Sequence, residues 1–261
     1  MQDNNVEMKT VLSEVRGGVV WITLNRPDQG NSINLTLAKD LFDAVRQASL
    51  DSSVHCVVLS AAGKLFCAGG DIAGFGSDAA KFPENIGALA RGLHESIEVL
   101  EGMDKPLVTV VQGTAAGAGL VLSALGDIVL ASDKAKFVPA YGSIGLTPDG
   151  GSTWILPRLL GQRRAMEMLL TGTALTAKEA ESAGLVTRIV PHDELNSEAE
   201  KVSKRLAEGP AWALGRTRRL VREGSESELH AHLEREASSI AEASSKPFAQ
   251  AAVSNFLNKT K

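Results

Sequence analysis

Residues 107–119 read LVTVVQGTAAGAG, and this stretch contains the structural unit from which the rest of the chain can be understood. Its first five residues are apolar and rich in β-branched side chains, a pattern typical of a strand buried on both faces. The glycines between Gly113 and Gly119 allow the backbone to approach a ligand closely, and an apolar helix is expected after them. The stretch therefore predicts a buried strand, a glycine-rich turn and a helix in succession.

The same alternation extends in both directions along the chain. Gly17-Gly18 predicts a hairpin turn between two runs, Val6 to Val15 and Val19 to Leu24. Further strands are predicted at Cys56 to Leu59, Ile128 to Leu130 and Leu185 to Val190. Apolar residues at helical spacing predict helices over Leu35 to Leu50 and around Ile86 to Leu100. From about Glu194 the pattern is helical throughout, so we expect an α/β core with a C-terminal helical extension.

Composition narrows the class of protein. The chain has 261 residues, with 27 Lys or Arg and 31 Asp or Glu, so its net charge is −4. This mild acidity argues against nucleic acid or a membrane surface as partner. Two cysteines are too few for a disulfide framework or a four-thiolate metal site. The opening residues, MQDNNVEMKT, lack the features of a targeting segment, and we expect a globular, cytoplasmic protein without a bound metal.

Three glycine-rich segments are candidates for ligand binding. They read FCAGGDI at residues 66–72, GTAAGAG at residues 113–119 and GLTPDGGS at residues 145–152. Each follows or precedes a predicted element, where free backbone N–H groups can meet a negative charge. The spacing matches neither a P-loop nor a dinucleotide-binding fingerprint. Taken singly, each segment is equally well explained as a tight turn.

Taken together, the segments resemble the crotonase superfamily, which contains the enoyl-CoA hydratases and isomerases. The resemblance rests on LNRP at residues 24–27, the three glycine-rich segments in this order, and Lys105-Pro106. It implies a spiral of ββα units over residues 1–195 and a helical region over residues 196–261 that builds trimers or dimers of trimers. It also implies an acyl-CoA thioester as substrate, with no further cofactor.

The resemblance implies where that substrate binds. Two backbone N–H groups, those of Gly70 and Ala118, are expected to hold the thioester oxygen as it becomes an enolate oxyanion. Contacts to CoA are expected along the loops at residues 26–31 and 68–72 and across a subunit boundary, from Arg26, Gln29, Ala68, Gly69, Asp71, Ile72, Phe256 and Lys259. A basic run of Arg216, Arg218, Arg219 and Arg222 is interpreted as a solvated helix face, with proximity of some of these residues to the CoA phosphates as the alternative.

The two glutamates of the hydratases are missing. Their positions are occupied by Val121 and Tyr141, which argues against ordinary hydration of enoyl-CoA. Asp149 remains as a candidate acid/base. One interpretation makes it the N-cap of a helix that begins at Ser152. The other follows from the similar segment of ring-modifying isomerases of phenylacetyl-CoA breakdown, in which the aspartate is the single proton shuttle.

Aryl-CoA dehalogenases of the same superfamily suggest an alternative. They use an aspartate at the position of Asp149 as a nucleophile and a histidine as base, which falls on His94 in this sequence. Tyr141 stands where those enzymes carry a tryptophan.

With Asp149 as the remaining acid/base, the expected function is enoyl-CoA isomerisation, moving a double bond or rearranging a ring. The alternatives are hydrolytic dehalogenation, hydration by atypical acid/base groups, and CoA binding without catalysis.

Overall fold

Strands and helices alternate through most of the chain, which the computed structural model describes over residues 9–75, 80–225 and 227–259. The strands are β1 (Val11–Arg16), β2 (Val19–Leu24), β3 (Cys56–Ala61), β4 (Leu107–Val111), β5 (Thr114–Ala116), β6 (Ile128–Ser132), β7 (Lys136–Val138), β8 (Leu175–Thr176) and β9 (Arg188–Val190). The helices are α1 (Leu35–Leu50), α2 (Phe82–Gly102), α3 (Ala118–Ala124), α4 (Ser152–Leu160), α5 (Gln162–Thr171), α6 (Ala177–Ser182), α7 (Leu195–Ala207), α8 (Ala211–Gly224), α9 (Leu229–Ser244) and α10 (Pro247–Lys259).

The central sheet has six strands in the order β1-β2-β3-β4-β6-β9. β1 and β2 form the predicted antiparallel hairpin, and all other pairs in this sheet are parallel. Gly17 and Gly18 turn the hairpin with φ angles of +56° and +80°, a conformation that favours glycine. The part of the predicted first run before Lys9 lies outside the described residues.

A second sheet has three strands, and it shows that the same order of two strands and a helix recurs along the chain. β4 leads into β5 and β6 leads into β7, and β5 and β7 pair in parallel within this sheet. After β3, Cys67 makes a parallel bridge to Ala115 of β5, which extends the same pattern by one turn. Helices α2, α3 and α4 follow these three pairs of strands. The predicted spiral of ββα units followed by helices is therefore confirmed.

The central sheet is covered on both faces because its side chains alternate. In β3, Val57 and Leu59 face the larger core with α1 and α2, whereas Cys56 and Val58 face the smaller core. Helix α7 closes that smaller core. The strands in the middle of the sheet are apolar on both faces for this reason, as the sequence predicted. The division at residue 195 stays a prediction, although α7, which begins there, packs on the sheet.

One strand is shorter than the sequence indicated. The prediction of a strand from Leu185 is wrong for its first three residues, because Leu185 and Val186 belong to the turn that ends α6 and Thr187 only leads into the strand. The amides of Leu185 and Val186 both donate to the carbonyl of Ala180, at 2.9 and 3.2 Å, and Gly184 has a φ of +84°. This is the geometry of a helix C-terminus, so β9 begins only at Arg188.

The basic run on α8 is not a uniformly solvated face. That interpretation is wrong for Arg218, whose side chain is only 5% exposed. Its guanidinium donates to Asp127 Oδ2 at 2.7 Å and to three backbone carbonyls at the end of α2, those of Leu100, Glu101 and Met103. Arg218 therefore fastens α8 to the core. None of the helices in the described residues is both long and apolar enough to cross a membrane.

Candidate active site

A cavity of about 300 Å³ lies where the three glycine-rich segments meet. Its walls come from the loop after β3, from α2, from the start of α3 and from the segment between β7 and α4. The lining is largely apolar and includes Ile72, Ile86, Leu89, Ala90, Ile144 and Leu146. Gly70, Ala118, Tyr141 and Asp149 also line it. The structure thus brings Gly70 and Asp149, which are 79 positions apart in the sequence, into one concave site.

The loop after β3 points the N–H of Gly70 away from Ile33, the residue with which Gly70 forms a bridge. Ile33 bridges to Gly70 through the carbonyl of Gly69 and the amide of Asp71, each at 2.8 Å. Such a parallel bridge uses the groups on either side of Gly70 and leaves its own N–H on the opposite side. Within the described residues this N–H donates no hydrogen bond to a backbone or side-chain group.

Close backbone contact then joins this loop to the start of α3. Gly69 has a φ of +98°, and a Cβ on it would lie 3.7 Å from the amide nitrogen of Ala118. A Cβ on Gly119 would lie 2.4 Å from the carbonyl oxygen of Cys67, so any larger residue there forces the backbone to shift. Ala118 is the first residue of α3, so its N–H lies at the positive end of the helix. It too donates no hydrogen bond among the described residues.

Asp149 is not a helix cap. The N-cap of α4 is Gly151, and no side chain caps that helix. Instead, the carbonyl of Asp149 accepts from the amide of Ser152 at 3.0 Å, across Gly150 and Gly151, whose φ angles are +61° and +84°. Two consecutive positive φ angles closed by this hydrogen bond form a tight turn. The carboxyl group of Asp149 is therefore free of any capping role.

Tyr141 contacts the carboxyl group of Asp149 directly. Its hydroxyl donates to Asp149 Oδ1 at 2.8 Å and lies 3.2 Å from Ser152 Oγ. Burial, followed by the negative charge of Asp149, raises the pKa of the Tyr141 hydroxyl above its ordinary value. The hydroxyl is therefore protonated, and remains a hydrogen-bond donor, at every pH near neutrality.

His94 and Val121 lie behind the turn that carries Asp149. His94 is a half-buried residue of α2. Its Nε2 accepts a hydrogen bond from the amide of Gly150 at 3.1 Å. Val121 of α3 is fully buried, and its side chain lies 3.6 Å from the position of a Cβ on Gly150. His94 is thus only partly exposed, and Val121 contributes only apolar packing.

Two amide side chains that hold the site loops could not be recognised in the sequence. Asn31 is fully buried with a φ of +54°, and its amide donates to the carbonyls of Ala62 and Leu65 at 2.8 and 2.9 Å. Gln112 donates to three carbonyls of the same stretch, residues 61–65. These bonds fix the path of the chain into Gly69 and Gly70. The only sequence signal was their position beside the matched segments.

Known proteins similar to this chain agree with the geometry. The sequence model of the enoyl-CoA hydratase/isomerase family matches residues 14–261. The chain belongs to the enoyl-CoA hydratase/isomerase family. The 1,2-epoxyphenylacetyl-CoA isomerase of Escherichia coli is 35% identical over 230 residues, which cover 88% of each chain. The 4-chlorobenzoyl coenzyme A dehalogenase-2 of an Arthrobacter species is 32% identical over 224 residues, covering 85% of this chain and 81% of the dehalogenase.

Solved structures of the family share the fold. A protein of Mycobacterium abscessus that carries the name enoyl-CoA hydratase/isomerase superposes with a TM-score of 0.90 at 35% identity, over 95% of this chain and 96% of the other. The crotonase-like fold class is therefore confirmed. Other relatives of this family member are named as isomerases or as hydratases. The names of the relatives accordingly establish the family but do not select one reaction.

Most of the residues expected to contact CoA lie on two loops, residues 26–31 and 68–72, and three of them line the cavity of this family member. Arg26 Nη1 donates to Asp71 Oδ2 at 2.9 Å, which joins the two loops on which CoA is expected to lie. Gln29 and Ala68 are exposed, and Ala68, Gly69 and Ile72 line the cavity. Phe256 lies on α10 and is 69% exposed, while the side chain of Lys259 lies outside the described residues. Their contacts with CoA stay predictions.

No group of three or more His, Cys, Asp or Glu side chains within the described ranges could hold a metal ion. Both cysteines, Cys56 and Cys67, are buried free thiols. The expected absence of a cofactor stays a prediction.

Proposed function

We propose that this family member is an enoyl-CoA isomerase that uses Asp149 as its single proton shuttle. The observation that carries the proposal is that Asp149 is the one acidic side chain among the described residues lining the cavity. Apart from the hydroxyl-bearing Tyr141 and Thr147, the rest of that lining consists of apolar residues and glycines. A lone carboxylate beside an apolar pocket suits the transfer of a proton from one carbon of a bound acyl chain to another.

The reaction follows from the placement of three groups. The N–H groups of Gly70 and Ala118 hold the thioester oxygen, on which negative charge develops when the acyl chain loses a proton. Asp149 removes a proton from a carbon next to the unsaturated system, and the electrons of the C–H bond enter the conjugated enolate. The protonated Asp149 then returns the proton to another carbon. Substrate and product therefore have the same composition, and one oxyanion donor contributes about 3–4 kcal/mol to transition-state stabilisation.

Hydration is a poorer match because it needs a second group to activate water. Val121 is buried and apolar, and so cannot accept a proton. Tyr141 already donates to Asp149, and its raised pKa keeps the hydroxyl protonated. Neither position therefore supplies the base that the missing glutamate would provide.

Hydrolytic dehalogenation is the second candidate, favoured by the Arthrobacter relative and by the position of His94 behind Asp149. In that reaction a carboxylate oxygen of Asp149 displaces halide from the ring to form an aryl ester, and His94 takes a proton from the water that hydrolyses this ester and restores Asp149. The structure offers less support for it, because His94 Nε2 already accepts the Gly150 N–H.

The proposal includes assembly and location. We propose that CoA lies along residues 26–31 and 68–72, and that the chain forms trimers or dimers of trimers in the cytoplasm. Support for self-association comes from large apolar side chains left exposed on the last helices, including Leu229, Ile240, Phe248 and Val253.

A panel of thioesters tests the reaction. The wild-type protein and Asp149→Asn are incubated with cis-3-enoyl-CoA, trans-2-enoyl-CoA, a ring-epoxide phenylacetyl-CoA and 4-chlorobenzoyl-CoA, and products are separated and weighed by mass spectrometry. We expect a product of unchanged mass but new retention time, formed roughly 10²–10⁴-fold more slowly by Asp149→Asn. The exposed Asp193→Asn serves as the matched control and should retain full turnover.

Each other outcome contradicts the proposal in a recognisable way. Unchanged turnover by Asp149→Asn removes the assigned role of that residue. A product that gains water shows hydration, and exchange of halide for hydroxyl shows dehalogenation. Tight CoA-thioester binding without turnover of any substrate shows a non-catalytic member of the family.

A further inference from the structure

The carboxyl group of Asp149 is bound on one oxygen only. Tyr141 donates to Oδ1 at 2.8 Å, whereas Oδ2 accepts no hydrogen bond from the part of the chain that the structure describes. The tyrosine ring is 9% exposed and is held in place by the turn that follows β7. Its hydroxyl can adjust little, so the bond fixes the rotation of the carboxyl group about its own axis.

The backbone next to Asp149 is bound by a residue of α2. His94 on α2 accepts the Gly150 N–H through Nε2, at 3.1 Å. An imidazole nitrogen that accepts cannot carry a hydrogen itself, so the neutral ring must have its proton on Nδ1. This contact holds Gly150 within the turn from Asp149 to Ser152. Without it, Gly150 and Gly151 would have wide conformational freedom.

We infer that Tyr141 and His94 are positioning residues that hold Asp149 from two sides, leaving Oδ2 as its only proton-carrying oxygen. This inference rests on the proposed function, in which Asp149 must take a proton from one carbon and return it to another. A carboxyl group fixed at Oδ1 keeps Oδ2 in one place during both transfers. His94 thus acts through the backbone as a neutral acceptor and transfers no proton.

Substitutions at His94 distinguish a hydrogen-bond acceptor for the Gly150 N–H from a catalytic base. In His94→Gln the side-chain amide reaches about as far as Nε2, and its oxygen can accept the Gly150 N–H. In His94→Asn the amide ends near the position of Nδ1 and cannot reach. We expect His94→Gln to keep kcat within roughly threefold of wild type, and His94→Asn to lose roughly tenfold or more in kcat with KM little changed.

Other results at His94 overturn the inference. Equal and complete loss in both variants shows that His94 moves a proton, because glutamine cannot accept one. Wild-type turnover in both shows that the contact has no effect on the reaction. Glu95→Gln, on the exposed side of the same helix, is the control and should behave as wild type.

Tyr141→Phe tests the second contact. It keeps the ring and removes only the donor to Asp149 Oδ1, so we expect kcat to fall roughly tenfold or more. We expect KM to stay within roughly threefold of wild type, because Tyr141 acts through Asp149 rather than by holding the substrate. Unchanged kcat overturns the assignment, and so does a rise in KM without a loss of kcat. Thermal unfolding of each variant shows whether the fold is intact.

One measurement does not depend on turnover. Long-range proton–nitrogen NMR of the wild-type protein labelled at its histidine nitrogens, assigned by comparison with His94→Gln, reports which imidazole nitrogen carries hydrogen. We expect Nδ1 to be protonated and Nε2 to have the shift of an acceptor. Hydrogen on Nε2 overturns the role of His94 even if the protein isomerises its substrate. Conversely, the expected tautomer without any isomerase activity leaves the contact standing while the proposed function fails.

Discussion

Gly119 shows how a single missing side chain shapes the cavity. It lets α3 begin directly against the loop after β3, since a Cβ there would lie 2.4 Å from the Cys67 carbonyl oxygen. We expect Gly119→Ala to lower the free energy of unfolding by about 1–3 kcal/mol or more, because the backbone must shift to admit the methyl group. CoA-thioester binding should weaken as well, because the same shift separates the N–H groups of Gly70 and Ala118.

The control for this change is Gly102→Ala at the end of α2, where no atom of the described residues lies within 4 Å of an added Cβ. It should be neutral or stabilise the protein by up to about 1 kcal/mol. Denaturant unfolding followed by circular dichroism measures both variants. Equal stability of the two would contradict the close packing at Gly119.

The two thiols offer a probe of the folded state at the same scale. Burial raises the pKa of both Cys56 and Cys67 to about 12, so each is a neutral thiol at pH 8. Because the thiolate is the reactive form, we expect iodoacetamide to leave the folded protein unmodified and to label both cysteines in denaturant. Mass spectrometry after timed exposure measures this. Rapid labelling of Cys67 in the folded protein would mean that the loop carrying Gly69 and Gly70 opens readily.

Single residues also show what the sequence could and could not predict. Gly70, Ala118 and Asp149 were predictable as one site because each stands in a local motif whose order matches a known family. The contacts of Tyr141 and His94 with the turn at Asp149 were not, because a hydrogen bond between distant elements depends on side-chain directions that no motif encodes. Asn31 was missed for the same reason, since its three bonds reach across to residues 62–65 and back to Arg26.

At the scale of elements, Arg218 of α8 holds the helices together. Its guanidinium meets the end of α2 and also Asp127, which in turn accepts from the amide of Leu107 at the start of β4. We expect Arg218→Met to destabilise the protein by about 3 kcal/mol, because the carbonyls at the end of α2 lose their buried donor, whereas Asp127 keeps Arg222 as its partner.

Arg219 on the same helix is the matched comparison. It pairs with Asp104 at the surface, where its side chain is 41% exposed. Arg219→Ala should therefore cost less than about 1 kcal/mol. Thermal and denaturant unfolding of the two variants measure the contrast. Similar losses in both would contradict the assigned difference between a buried and an exposed ion pair.

The observed ends of helices and strands agree with the sequence prediction where one regular pattern of apolar residues ends abruptly. α1 and β4 begin and end at the predicted residues, since the apolar spacing breaks at both ends. The predicted strand at Leu185 failed because Leu185 and Val186 are buried by the turn that ends α6 rather than by strand pairing. Apolar character alone does not distinguish these two kinds of burial.

For the whole molecule, the exposed apolar residues of the last helices lead to a test of assembly. Ile240 on α9 is 73% exposed and Val253 on α10 is 58% exposed. We expect light scattering to give three or six times the mass of one chain, and Ile240→Glu to shift the protein toward smaller species because a charge is placed in the interface. The exposed Glu234→Gln on the same helix should leave the mass unchanged. A monomeric wild-type protein would contradict the proposed assembly.

The helix that closes the smaller core has a consequence for how the protein is made. α7 covers side chains of β2, β3 and β4, but it leaves the ribosome about 180 residues after β2. At about 5–20 residues per second, this delay is on the order of ten to forty seconds. Until α7 has emerged, the strands already made have no cover for the valine side chains on this side of the sheet. We therefore expect the unfinished chain to be prone to aggregation until synthesis passes residue 207.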